Sequence, residues 1–188
     1  MYRAVRFGWT LPTSKAASTT GACHGGSHMI ASAIKLVLGN IPAIMFVGAF
    51  VLTAVTKRPT YFPARLLGWL LLSIGIAYTW AGFFHTVFPH VAASSIGWEV
   101  SPFQFEIGIA DTSIGIVAII SFWHSLDFQA PVAGYITLFS IGVAFGHFRE
   151  AFYAGNTSTN NFGLLLVITL LHAVLLPTLY FMARRNAP

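Results

Sequence analysis

Five apolar runs, separated by short polar breaks, dominate the pattern along this chain. They cover residues 30–55, 64–88, 103–122, 131–154 and 162–182. About 20 apolar residues in a helix are enough to cross the ~30 Å hydrocarbon core of a bilayer. Alternation at period two is absent, which argues against a transmembrane β-barrel. The predicted fold class is all-α: an integral membrane helical bundle of about five transmembrane helices over residues 30–183.

The breaks carry helix-stopping chemistry. Pro59 and Pro63 interrupt the first loop, and Pro89 ends the second run. Residues 90–102 are too polar and too few to cross, so residues 91–101 are expected to be re-entrant or interfacial, with Trp98 as an anchor. Ser101 is the expected N-cap of the third helix, with Pro102 in its first turn. Pro42 and Pro177 are expected to kink the first and fifth helices. Gly142 and Gly146 have the spacing that lets a second backbone approach closely.

Composition agrees with this pattern. The chain is 56% hydrophobic and 8% charged, against ~25% charged in soluble domains. The net charge of +5 does not point to nucleic acid, because the basic residues flank apolar runs rather than share a soluble face. The expected partner is the lipid bilayer, with a homo-oligomer or an accessory place in a membrane complex as further expectations. Cys23, the single cysteine, excludes an intramolecular disulfide framework and a multi-cysteine metal site. Residues 1–29 contain basic residues and no acid, without the apolar core of a secretory signal. They read as a disordered tail, an overextended start or a non-native segment, and residues 184–188 as a basic tail.

Lys57, Arg58 and Arg65 share a membrane face with Arg184 and Arg185, since four runs separate the two groups. The positive-inside rule makes that face cytoplasmic, in a multi-pass protein of the cell membrane. Arg3, Arg6 and Lys15 oppose this orientation unless residues before Met29 are cleaved or non-native.

Candidate chemistry gathers in the other half. Three of the five acids, Glu99, Glu106 and Asp111, lie between Ser94 and Asp111, and the last two begin the third run. Charged groups in a membrane span are rare, normally paired, and mark function. Counted at ~1.5 Å per residue from the outer helix ends, His85, Glu106, Asp111, His147, Arg149 and Glu150 all fall in the outer half. His172 lies deeper.

Three kinds of chemistry fit that layer. His147 and Glu150 share a helix face, and with His85 and Glu106 they form a candidate metal set for Fe, Mn, Zn or Cu, with Asp111 and His172 as supports. Haem held by paired histidines, such as His85 with His147, ranks behind it. Alternatively, Glu106, Asp111, Arg149 and His85 line a path for protons or a small solute. The third reading is a structural or accessory subunit, in which Arg149 pairs with Glu106 or Asp111 only to fix helix packing. No phosphate loop, zinc-protease motif or nucleophile elbow is present, so whether the chain is an enzyme stays open. Asn156-Thr157-Ser158 spells a glycosylation sequon and is read as coincidence.

Several short motifs resemble a known family. They are Ser95-Ile96-Gly97-Trp98, Ser101-Pro102-Phe103-Gln104 with Glu106, Phe84-His85 with Phe88-Pro89, and Gly146-His147 with Glu150. Together the chain looks like an uncharacterised family of small prokaryotic multi-span membrane proteins, a domain of unknown function. The resemblance covers roughly residues 30–182. It implies the helical membrane fold and a start near Met29, and it carries no activity.

Overall fold

The computed structural model describes residues 39–56 and 61–185. The chain divides into two units, residues 1–36 and 37–188, and every described residue belongs to the second. The readings of residues 1–29 and of the basic pair Lys57-Arg58 lie outside the described residues, as does the first part of the run from residue 30.

Six helices form among the described residues: α1 (Ile41–Val55), α2 (Phe62–Val87), α3 (Pro89–Ser95), α4 (Phe103–Ser121), α5 (Leu126–Tyr153) and α6 (Leu164–Arg185). Four of them, α2, α4, α5 and α6, are long and apolar enough to cross a membrane, and α1 is a shorter apolar helix. The protein is thus an all-α integral membrane bundle. Leu138, Phe145, Phe152 and Phe181 each expose more than 60% of their surface. A soluble protein rarely carries so much contiguous exposed apolar surface; lipid is the solvent that suits it.

Prolines and glycines set the boundaries. Pro63 occupies the first turn of α2, and Pro89 the first turn of α3, directly after the Phe88 cap of α2. The connection expected to be re-entrant is this seven-residue α3 and a turn. At ~1.5 Å per residue it is far too short to cross. Ser101 does not act as a side-chain cap. Pro102 precedes α4 in helical conformation, and the Ser101 carbonyl accepts from Gln104 N–H at 3.0 Å. Helix α5 begins five residues before the expected 131 and runs through Pro131. Gln129 ties that junction together: its Nε2 donates to the Ser121 carbonyl at 3.0 Å and to the His124 carbonyl at 3.3 Å. It thereby adds a donor to carbonyls at and just beyond the end of α4.

Helix α2 is the hub and touches every other helix. Its Leu67, Leu70, Leu71 and Ile74 are buried with Ala49 of α1, Ala118 of α4, Ile136 of α5 and Leu176 of α6. The tightest seam is between α2 and α4, which run antiparallel. A Cβ added at Gly75 would stand 2.7 Å from the Gly115 carbonyl oxygen, and one at Gly82 would stand 2.6 Å from the Gly108 oxygen. One register further, Gly68 faces the Phe122 ring. Glycines seven residues apart keep one face toward the partner helix, the repeat that gives a left-handed supercoil. Thr79, Thr86 and Thr112 each donate to the carbonyl four residues back, at Gly75, Gly82 and Gly108. Their hydroxyls are satisfied within their own helix, as suits an apolar seam.

The close-approach motif expected at Gly142 and Gly146 is unused among the described residues, since a Cβ at either would meet no other atom within 4 Å. Both lie on the outward side of α5.

The two ends of the bundle differ. At the basic end, Tyr61 Oη donates to the Met182 carbonyl at 3.1 Å, Arg65 Nη1 to the Thr56 carbonyl at 3.0 Å, and Asp127 pairs with Arg184 at 2.6 Å. The Asp127–Arg184 pair is exposed and worth roughly 0–1 kcal/mol. The other end carries α3, residues 96–102 and the α5–α6 loop.

The seam makes a prediction of opposite signs. Gly75→Ala places its methyl against backbone and should cost about 1–3 kcal/mol. Gly142→Ala meets nothing and should be neutral or stabilise by up to about 1 kcal/mol through helix propensity. Unfolding of both variants in detergent, followed by helical circular dichroism, checks the difference.

Candidate functional site

Asn161 lies in the α5–α6 loop and is fully buried. Its Oδ1 accepts from Trp98 Nε1 at 3.2 Å and lies 2.8 Å from His147 Nδ1. Its Nδ2 donates to the Asn156 carbonyl at 2.8 Å and to the His147 carbonyl at 3.4 Å. An indole N–H can only donate and a carbonyl can only accept, so both ends of the amide are fixed. His147 Nδ1 faces an acceptor and therefore carries the proton.

A second asparagine extends this clasp. Asn156 Nδ2 donates to the Ile96 carbonyl at 2.9 Å and the Gly97 carbonyl at 3.2 Å, and its Oδ1 accepts from Ser158 N–H and Oγ. Gly97 has φ +71°. A Cβ there would meet Ser158 Oγ and stand 2.8 Å from Asn156 Oδ1. Gly97 is thus required for both conformation and space. Gly155, with φ +66°, ends α5 and lets Asn156 N–H reach back to the Glu150 carbonyl at 3.1 Å. Gln104 Nε2 donates to the Pro89 carbonyl at 2.7 Å, joining the start of α4 to the start of α3. The sequon asparagine is a structural hydrogen-bonding hub in this loop.

Deeper in the bundle, about halfway along α4, Asp111 is buried with 7% exposure. It forms no hydrogen bond or ion pair with any described residue. The Tyr78 hydroxyl of α2 lies near Asp111 and near Ser140 of α5. Ser140 is completely buried, and its Oγ has no partner. Counted from the Asp127–Arg184 pair, Ser140 and His172 of α6 lie at about the same depth along the two helices. His172 is buried, its Nε2 is enclosed without a partner, and its ring meets Phe46 of α1 edge-on at 5.3 Å.

The other sequence candidates scatter. His85 is half-buried against Gly108 of α4, with Nδ1 enclosed and unpartnered. Glu106 is exposed in the first turn of α4, where a carboxylate favours the helix N-terminus by about 0.3–1 kcal/mol. Arg149 is exposed and Glu150 half-buried, and neither is ion-paired among the described residues. The expected pairing of Arg149 with Glu106 or Asp111 is not formed. His85, Glu106, His147 and Glu150 do not come together either: no three His, Cys, Asp or Glu side chains among the described residues gather to hold a metal ion. His147 and Glu150 share a spacing, but the histidine faces inward while the arginine between them points out.

Sequence reasoning missed Asn156, Asn161, Ser140, Tyr78 and Gln129. Asn161 had a signal, as one of two adjacent asparagines in the polar turn opposite the Gly97-Trp98 motif, but only tertiary contact joins the two segments.

Comparison with protein families matches residues 39–188 to a family of unknown function (DUF6790). The chain belongs to that family. Comparisons with curated proteins and with solved structures return no match. The motifs behind the resemblance acquire physical roles here: Gly97 and Trp98 build the clasp, Gln104 and Pro89 join two helix starts, and His147 is anchored by Asn161.

Gly97→Ala should destabilise the clasp by about 1–3 kcal/mol, through the strained φ and the displaced Asn156. Limited proteolysis in detergent should then cut between residues 96 and 102 much faster than in the wild-type protein.

Proposed function

We propose that this membrane protein passes protons through the half of the bundle next to the clasp, with Asp111 as the carrying group. The observation behind this reading is an acid midway along a membrane helix, buried and without an ionic partner among the described residues. A charged aspartate at such a depth costs about 2.5–3.5 kcal/mol on the insertion scale, and intramembrane acids typically mark ion or proton routes. The neighbours suit proton exchange. Tyr78 and Ser140 are hydroxyls that both donate and accept, and His172 stands at the same level. The basic end carries Arg65, Arg184 and Arg185, which the positive-inside rule turns toward the cytoplasm. The clasp then faces outward in the cell membrane, and the route enters at that end and passes Asp111 at mid-membrane.

A second reading has its own support. The clasp is densely hydrogen-bonded and needs no ligand to explain it, as in a structural or accessory subunit. The two readings part at Asp111. In liposomes containing a trapped pH-sensitive dye and driven by a potassium diffusion potential, the wild-type protein should carry proton flux. Asp111→Asn should lower that flux at least tenfold while keeping the wild-type helical spectrum and elution volume. Asp111→Glu should retain part of it. Equal flux in wild type and a folded Asp111→Asn would overturn the proton reading and favour the structural one.

A further inference from the structure

The clasp holds one imidazole in a defined chemical state. His147 Nδ1 sits 2.8 Å from an Asn161 oxygen whose identity is set independently by Trp98 Nε1–H on that oxygen and by the Asn156 carbonyl on the amide nitrogen. The neutral ring must therefore place its proton on Nδ1 and its lone pair on Nε2. Nε2 has no partner among the described residues, and, unlike Nδ1 of His85 and Nε2 of His172, it is not fully enclosed. Protonation at Nε2 leaves the Nδ1–H bond to Asn161 in place, so the ring gains and loses a proton without opening the clasp. On the same inner face of α5, two turns deeper, lies Ser140, near Tyr78, which in turn lies near Asp111.

We infer that His147 is the proton-exchanging group at the clasp end of the route, and that Asn161 is a positioning residue that confines the exchange to Nε2. Nε2 takes a proton from the aqueous phase at that end, forming the imidazolium. It then gives up that same proton, inward or back to water, and returns to the neutral Nδ1–H form. No other bond is made or broken. The assignment of direction rests on the proton reading of Asp111, whereas the tautomer does not.

Histidine-labelled nitrogen-15 spectra of the protein in lipid at mildly alkaline pH test this, with the His147 signal identified by its loss in His147→Gln. The expected spectrum has a protonated Nδ1 and an unprotonated Nε2, and on acidification Nε2 gains the proton while Nδ1 keeps its own. A neutral Nε2–H tautomer in the wild-type protein would overturn the inference, and this outcome needs no variant to fold beyond the one used for assignment. Asn161→Leu should show a mixture of tautomers and at least fivefold lower proton flux, and folded His147→Gln a similar loss. Unchanged flux in His147→Gln beside a large loss in Asp111→Asn would overturn the role of His147 while the Asp111 reading stands. Unchanged flux in both would sink the route itself, with the tautomer still read directly from the spectrum.

Discussion

The structure depends on two backbones meeting without side chains between them. At Gly75 against Gly115 and Gly82 against Gly108, α2 and α4 approach until a single methyl would overlap a carbonyl oxygen. In lipid there is no hydrophobic drive to pull helices together, so close packing of small residues has to do it. Everything else hangs on the hub helix so placed. Its leucines gather α1, α5 and α6 into one core, and its end presents Pro89 to Gln104. The seam also sets depth: the antiparallel register that pairs the glycines brings Asp111 level with Tyr78.

Polarity in this bundle follows two rules. At the clasp end, two asparagines with fully paired side chains together reach Trp98, His147, Ser158 and the Ile96 and Gly97 carbonyls. Such a network fixes loop geometry. In mid-membrane the rule fails. Among the described residues, Ser140 Oγ and His172 Nε2 have no hydrogen-bond partner and Asp111 no ion pair. The contrast separates a part of the molecule explained by stability from a part that stability alone does not explain.

The helices were legible in the sequence because length and apolarity determine a membrane span almost without context. The ends of α2 and α4 fell within two residues of expectation, helped by Pro63, Pro89 and Pro102. The start of α5 did not, because Pro131 reads as a boundary although the helix passes through it. The glycine seam could have been seen in the seven-residue spacing of Gly68, Gly75 and Gly82, matched by Gly108 and Gly115. The shorter Gly142–Gly146 spacing drew attention instead, yet faces outward. The candidate layer was legible by depth but not by direction. Depth follows from counting residues. Which side of a helix faces inward is set by packing. That is why Glu106 and Arg149, at suitable depths, stand exposed, while Asn161, in an unremarkable polar turn, lies at the centre of the clasp.

On the proton reading, Asp111 communicates with water more readily at the clasp end than at the basic end. Cys23 is the chain's single cysteine, so a Cys23→Ser background offers a clean test. In that background Asp111→Cys, reconstituted with known orientation, is exposed to a small membrane-impermeant thiol reagent on one side at a time, and modification at residue 111 is read by mass spectrometry. Faster modification from the clasp side than from the basic side is the expected result. Equal or faster modification from the basic side, or none from the clasp side in a folded protein, would contradict the account.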